Sequence, residues 1–447
     1  MSIIPDQTDP KASRSGLTGA QMGAADDTHS AIWNSRNLLP WNTAWPWLAF
    51  AAILLVLPFI FPSNSALTVM NQMAITVVFA LSYNMLLGQG GMLSFGHAVY
   101  MGLGGFFSVH VMQWVDDGLW LPLPFLPILG GLFGLFFAFL VGSFQTRRAG
   151  TVFAMISLGI GQLVATSSVI IVAFFGGEEG VSGYRDVGPS FFGFDFAPKS
   201  QVYGLTAVWL FLSTALMYLF SRTPMGRLAN AVRDNEERAE FLGYSQQRVR
   251  WVSFCWSGFF AGVAGALFAI NFEILTEENL NLATSGTILL ATFLGGVGFF
   301  VGPIVGAVVF TLLQTVLSLY SGLWQLYVGF LFVLTVMFFP TGLTGLIALH
   351  AAPWRNRKMG ALAGPYALSL IPAILLVLSF AAVCEILFHR RESPTIGTMD
   401  LYGMTIDSHE FGPLAIVVVV LAASAFALVK LTPRIRTAWD VASLEKA

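Results

Sequence analysis

The charged residues of this chain gather where contact with another protein, rather than chemistry on a small substrate, is the natural reading. Segment 223–243 reads Thr-Pro-Met-Gly-Arg-Leu-Ala-Asn-Ala-Val-Arg-Asp-Asn-Glu-Glu-Arg-Ala-Glu-Phe-Leu-Gly. Thr223 can cap a helix, Pro224 suits its first position and Gly243 suits a helix C-terminus. Between them Arg233, Asp234, Asn235, Glu236, Glu237 and Arg238 are interleaved with apolar Leu228, Val232 and Phe241. A short helix lying on a membrane face and docking onto a partner needs this mixture. Glu and Arg at i,i+4 spacing also occur in any charged loop, so composition leaves that plainer reading open.

Polar residues inside apolar runs are the second group. Asn71, Gln72, Ser82, Tyr83 and Asn84 lie in one run, with Gln89, Ser94 and His97 just beyond it. Asn71 and Ser82 are three helical turns apart and can share a face. They are read either as lining a passage for solute or as hydrogen-bonding between helices. Third come two Gly-rich interruptions, 88–105 and 294–307, the latter containing Gly295, Gly296 and Gly298. Gly-broken membrane segments in corresponding halves of a chain point to internal repeats and a site near the bilayer midplane. Close helix packing is the competing reading, and it is the one assigned to Gly130-x-x-x-Gly134 and Gly258-x-x-x-Gly262. Glu273 and Glu385 lie near run ends, where carboxylates reach water, and receive no proton-relay role.

Catalytic signatures are missing. The chain has six His, no H-E-x-x-H and no Ser–His constellation, and its two Cys, Cys255 and Cys384, form no C-x-x-C. Neither a metal site nor a disulfide framework follows. No G-x-x-x-x-G-K-[ST] phosphate loop occurs, so any ATP-driven process needs its ATPase, with ATP and Mg, on another chain. No cofactor is expected on this one.

The elements that must position these residues are membrane helices. Of 447 residues 56% are hydrophobic and 10% charged, against about 25% charged in soluble domains. Apolar runs lie near 45–62, 66–87, 94–113, 120–142, 150–175, 202–220, 251–275, 284–297, 303–320, 325–340, 364–388 and 412–430. Crossing ~30 Å of hydrocarbon takes roughly 20 residues. Whether 284–320 holds two short spans or a re-entrant element plus a span is open, so ten to twelve segments are expected. The fold class is an all-α polytopic transmembrane bundle with broken or re-entrant Gly-rich helices and internal repeats.

Arg147 and Arg148, the arginines of 221–250, Arg355 to Lys358, and Lys430 to Arg436 follow a positive-inside pattern with both termini cytosolic. His389-Arg390-Arg391 then falls on the far side. Loops 113–119, 176–201, 276–283 and 391–411 face outward, with 176–201 irregular because of its Gly and Pro content. Residues 1–44 read as a disordered cytosolic arm, 45–350 as the transmembrane domain and 351–447 as an extension with two further helices. A net charge of −2 gives no reason to expect nucleic acid. The bilayer is the expected surrounding.

Four segments, in this order, resemble a known family: Gly88-Gln-Gly-Gly-Met-Leu-Ser-Phe-Gly-His97, Arg148-Ala-Gly-Thr-Val-Phe-Ala-Met155, the loop 226–243, and Phe293-Leu-Gly-Gly-Val-Gly-Phe-Phe-Val-Gly-Pro303 followed by Phe339-Pro-Thr-Gly-Leu343. Together they resemble LivM-type permeases of branched-chain amino-acid ABC importers. The loop also carries Glu237-x-Ala239-x-x-x-Gly243, similar to the element such permeases insert into a cleft of their ATPases. The resemblance implies a second homologous permease, two ABC ATPases and a periplasmic solute-binding protein as partners, in a bacterial inner membrane. It implies import of leucine, isoleucine or valine, or, by related permeases, of urea or short amides. An ion-coupled carrier is the competing class and predicts ionisable residues deep in the membrane, which this chain largely lacks.

Overall fold

The computed structural model describes residues 44–443 apart from 187, 242, 340, 356–357 and 393–396. The expected arm, 1–44, lies outside them save for Ala44, which opens α1 (Ala44–Ile60). The chain divides into two units between Ala49 and Phe50, and the architecture below is that of the second.

A backbone in hydrocarbon has no water to bond, so each apolar run must satisfy its own N–H and C=O groups as a helix. Each expected run is mainly helical, with 150–175 broken at Ile171, 94–113 helical from Ala98 and 251–275 helical to Phe272. After α1 come α2 (Asn64–Asn84), α3 (Ala98–Asp116), α4 (Leu126–Gln145), α5 (Gly150–Ile170), the single turn α6 (Val172–Phe175) and α7 (Lys199–Arg222). The charged loop forms α8 (Pro224–Asp234) and α9 (Glu236–Phe241), and α10 (Gln246–Phe272) follows. Then come α11 (Leu282–Gly295), α12 (Gly302–Tyr320), α13 (Trp324–Phe338), α14 (Gly342–Arg355), α15 (Met359–Glu392) and α16 (Phe411–Ser443).

Among the described residues eight helices are long and apolar enough to cross a membrane, and a bent pair, α13 with α14 at 46°, would make a ninth. The stretch 284–320 resolves into α12, which is one of the eight, and α11, whose 14 residues reach only about 21 Å. α3 is buried along most of its length.

α10 is the axis of the bundle, and small residues let its neighbours approach. A Cβ on Gly262 would run into the Gly130 carbonyl, and one on Gly134 into the Gly258 carbonyl. The two small-x-x-x-small motifs of α4 and α10 therefore pack on each other. The pairing is antiparallel, since Trp251 Nε1 donates to Phe139 O at 3.0 Å and Gln247 Nε2 to Ser143 O at 3.2 Å. Arg147 and Arg148 accordingly lie at the end of the bundle that carries α8.

The opposite end gathers the loops read as outward. β1 (Val181–Ser182) pairs antiparallel with β2 (Ile274–Leu275). Arg185 meets Glu273 at 3.6 Å and donates from its backbone N–H to Glu273 Oε1 at 3.1 Å. The described residues from Gly176 to Pro198 are otherwise irregular, as their Gly and Pro content predicts.

The extension is a long pair, α15 and α16, joined by the hairpin β3 (Thr398–Leu401) and β4 (Met404–Asp407). Arg390 Nε donates to Ser408 O at 2.9 Å, and Tyr327 on α13 donates to Glu385 Oε1 at 2.8 Å. Glu385 also takes the Ser321 hydroxyl from the α12–α13 turn. That turn lies 19 residues of helix away from the start of α12, which sits beside α7. His389 and Arg390 therefore lie opposite α8, as their departure from the majority of basic clusters predicted.

Candidate functional site

The charged loop folds as a compact platform, and it departs from the single helix its ends suggested. Thr223 Oγ1 accepts from Gly226 N at 3.2 Å, capping α8 with Pro224 at its first position. The helix stops at Asn235, whose backbone is extended (φ −160°, ψ 107°). The Asn235 side chain then accepts from Arg238 N at 2.9 Å and starts α9. Asn favours a cap over a helix interior because its side chain competes for backbone groups, and here it divides the loop in two. Gly243 (φ +83°) closes α9, with Gly243 N bonded to Glu240 O at 2.8 Å and Tyr244 N to Ala239 O at 3.2 Å. This pair of bonds is the Schellman closure, which favours Gly because its left-handed backbone needs no Cβ.

Side chains weld the helices together. Ala229 and Val232 of α8, Ala239 of α9 and Val249 of α10 form one small apolar cluster with Leu228 against it. Glu236 pairs with Arg250, whose side chain is 7% exposed. Gln246 Nε2 donates to Glu240 Oε2 at 3.0 Å. Glu237, Arg238, Glu240 and Phe241 are left outward. Phe241 is 91% exposed, whereas Leu228 and Val232, the other apolar residues of the loop, pack inward; their shared apolar character did not separate the two roles. Arg250 was missed, because its partner sits fourteen positions away across a turn.

Arg233 points inward. Its Nε and Nη2 bond Asp234 Oδ1 at 2.9 and 2.7 Å, and its Nη1 donates to the Gly88 carbonyl. Gly88 lies in a π-turn, Met85–Gln89, that ends α2. The chain then reverses and retraces α2. Met92 N donates to Leu86 O at 3.0 Å, Tyr83 OH to Ser94 O at 3.0 Å, and Ser82 Oγ lies 3.1 Å from His97 Nε2. Other helices serve this irregular stretch: Phe95 N donates to Ser157 Oγ at 2.9 Å and Ala98 N to Ser285 Oγ at 3.0 Å. Irregular backbone at membrane depth survives only with such partners.

Asn71 and Ser82 of α2 are buried and paired along this line. Asn71 Nδ2 donates to Asn271 Oδ1 at 3.0 Å and Ser257 Oγ to Ser82 O at 2.7 Å. The His97 ring stacks on Phe79 with centroids 5.4 Å apart and meets Tyr83 edge-on at 5.3 Å. Asn84 Oδ1, Gln89 Oε1, Ser94 Oγ and His97 Nδ1 are buried without a hydrogen-bond partner among the described residues. Asn84, Gln89, Ser94 and His97 thus belong to one neighbourhood, the turn and its returning strand, while Asn71 lies further along α2.

The Gly-rich breaks meet each other, and not at the middle of the bundle. A Cβ on Gly88 would approach the Val297 carbonyl at 2.8 Å. Phe300 packs edge-on against Tyr218, centroids 5.3 Å apart, one turn from the end of α7. Both breaks therefore lie at the α8 end, because α2 runs on as regular helix before it opens. Gly295 and Gly296 are taken up by packing. A Cβ on Gly295 would meet the Gly302 carbonyl, and one on Gly296 the Thr341 carbonyl. Gly298 faces open space. Among the described residues no group of His, Cys, Asp and Glu is arranged to hold a metal.

These features define a multi-pass helical membrane protein with a two-helix platform at one end, in contact with the broken end of α2. A family model described as branched-chain amino acid transport system / permease component matches residues 65–340, and the chain belongs to that family. It is similar to the high-affinity branched-chain amino acid transport system permease protein LivM of Escherichia coli (strain K12), 27% identical over 342 residues, covering 71% of this chain and 79% of the relative. LivM of Salmonella typhimurium is likewise 27% identical over 317 residues, covering 66% and 73%. The autoinducer 2 import system permease protein LsrC of Klebsiella pneumoniae is 32% identical over 151 residues, 32% of this chain and 44% of the relative. No solved structure matches. The resemblance carried by the four sequence segments is thus a family membership.

Proposed function

We propose that this chain is a membrane-spanning subunit of an ATP-driven importer of branched-chain or related amino acids, with ATP and Mg handled by two partner ATPases. A second permease would complete the passage and a periplasmic binding protein would deliver the solute at the 176–201 and 276–283 loops. The observation that carries this reading is the platform. α9 turns Ala239 into an apolar cluster shared with α8 and α10 and presents Glu237, Arg238, Glu240 and Phe241 to the outside. An exposed aromatic flanked by charges on a braced helix has the makeup of an interface anchor. The names of the relatives supply the cargo class.

In this reading Asp234, Asn235, Glu236, Glu237, Arg238 and Phe241 form or brace the docking face, with Ala239 and Gly243 holding its shape. Solute passes along the buried polar neighbourhood of Asn71, Asn84, Gln89, Ser94 and His97, beside Gly298. Unpaired donors and acceptors there suit the ammonium and carboxylate of an amino acid.

The test is purification of tagged protein from its native membrane in mild detergent, identifying what co-purifies and assaying ATP hydrolysis. ATPase subunits are expected with the unaltered chain and at least tenfold less with Phe241→Ala, since a buried hot-spot aromatic contributes about 2 kcal/mol or more. Replacing Glu237 and Gly243 together is expected to uncouple hydrolysis from uptake. A chain that purifies without any ATPase, or that takes up amino acids independently of ATP, overturns the proposal.

A further inference from the structure

We infer that Arg233 is the positioning residue through which movement of the docking platform reaches the solute passage, acting on the π-turn at the end of α2. The inference rests on the importer reading above and names its point of transmission. A π-turn closes its hydrogen bonds one residue further along than the α-helix on which it sits, and such turns are frequent at functional sites. Here it lies at a helix C-terminus, where the last carbonyls lack partners and favour a cation. Leu86 O and Leu87 O are taken by the returning chain, through Met92 N at 3.0 Å and Gly91 N at 3.1 Å. Gly88 O is taken by Arg233.

The fit around that bond is specific on every side. Gly91 is left-handed (φ +65°), and a Cβ there would come within 2.7 Å of Arg233 Cγ, so the arginine stem lies directly on the break. The two bonds from Arg233 to Asp234 orient the fork and leave Nη1 for Gly88. On the other side Gly88 rests toward the Val297 carbonyl, and Gly296 is backed by the Thr341 carbonyl. The turn is therefore held between α8 on one side and the 296–297 break on the other.

Both directions out of this contact are stiff. Toward the partner, α8 shares its apolar cluster with α9 and α10, so displacement of α9 carries Arg233 with it. Toward the membrane, Asn84 and Gln89 flank or lie in the turn, and Ser94 and His97 sit on the strand that returns from it. Releasing Gly88 O lets the π-turn change register, which rotates Gln89 and draws Ser94 and His97 along α2. All four carry a buried atom without a hydrogen-bond partner among the described residues. The movement therefore alters the groups proposed to meet the solute.

The test uses the whole assembled transporter in liposomes, comparing Arg233→Ala, Arg233→Lys and Gly91→Ala with the unaltered protein. Three readouts are taken: ATPase subunits bound, solute taken up per ATP hydrolysed, and hydrogen exchange of the amides of residues 91 and 92. Arg233→Ala and Gly91→Ala are expected to keep the ATPases bound, to lower uptake per ATP at least tenfold, and to speed exchange at 91 and 92 by a similar factor. Arg233→Lys, which can still reach Gly88 O but lacks the fork, is expected to recover part of both. Unchanged uptake per ATP in Arg233→Ala overturns the inference while leaving the importer reading intact. So does loss of the ATPases in Arg233→Ala, which would make Arg233 a docking residue. Failure of the unaltered chain to bind any ATPase overturns both.

Discussion

Gly342 and Gly403 have nearly the same backbone and opposite surroundings, which makes them a matched pair for measuring how tightly the Gly-rich breaks are packed. Their φ values are +70° and +81°. An added Cβ at Gly403 meets nothing within 4 Å, whereas at Gly342 it would come to 2.5 Å from Gly296 Cα and 2.8 Å from the Gly295 carbonyl carbon. An L-residue in the left-handed region costs about 1–2 kcal/mol, and Gly→Ala regains about 0.4–1 kcal/mol by restricting the unfolded chain. Gly403→Ala should therefore cost about 1 kcal/mol. Gly342→Ala carries the same strain plus overpacking against backbone, about 1–3 kcal/mol more, for about 2–4 kcal/mol in total. Thermal unfolding in one detergent at one scan rate reads the difference. Each kcal/mol moves the midpoint by about 2–4 °C in a 150–250-residue domain, and by less in a chain of this length. Gly342→Ala should melt clearly below Gly403→Ala. Equal midpoints would refute the close approach of 342 to the 295–296 break, and with it the packing assigned to that motif.

Three further outcomes follow from other contacts. Thr223→Ala removes the α8 cap and should cost about 1 kcal/mol locally, seen as faster hydrogen exchange at the start of α8 with exchange in α10 unchanged. Glu236→Ala leaves the Arg250 charge, 7% exposed, without its carboxylate, whereas Arg250→Met removes the buried charge and leaves Glu236, 44% exposed, to water. Glu236→Ala should therefore be the more destabilising of the two in the same melting assay, because an unpaired buried charge costs more than a vacated pair. Asn71→Leu or Asn271→Leu alone strands one buried amide, and the double variant should recover part of the loss. The coupling should be near 0.6 kcal/mol, the average for hydrogen bonds between membrane helices, and a strictly additive double variant would refute the Asn71–Asn271 bond.

The sequence by itself determined what depends on neighbours along the chain. Twelve apolar runs became helices because in hydrocarbon each run must satisfy its own backbone. Thr223-Pro224 opened a helix and Gly243 closed one because capping uses groups two to five positions away. The family segments were legible in the same way, and residues 65–340 match the family model. Tertiary structure alone decided the rest. The break at Asn235 depended on α9 finding Ala229, Val232 and Val249 to pack against. The exposure of Phe241 followed from that docking, since one residue of a short helix turned inward sets which others face out. The meeting of Gly88, Arg233, Val297 and Thr341 joins positions up to 253 residues apart. No periodicity encodes it, because a glycine at a break states only that backbone will come close, and the path of the other helices states whose.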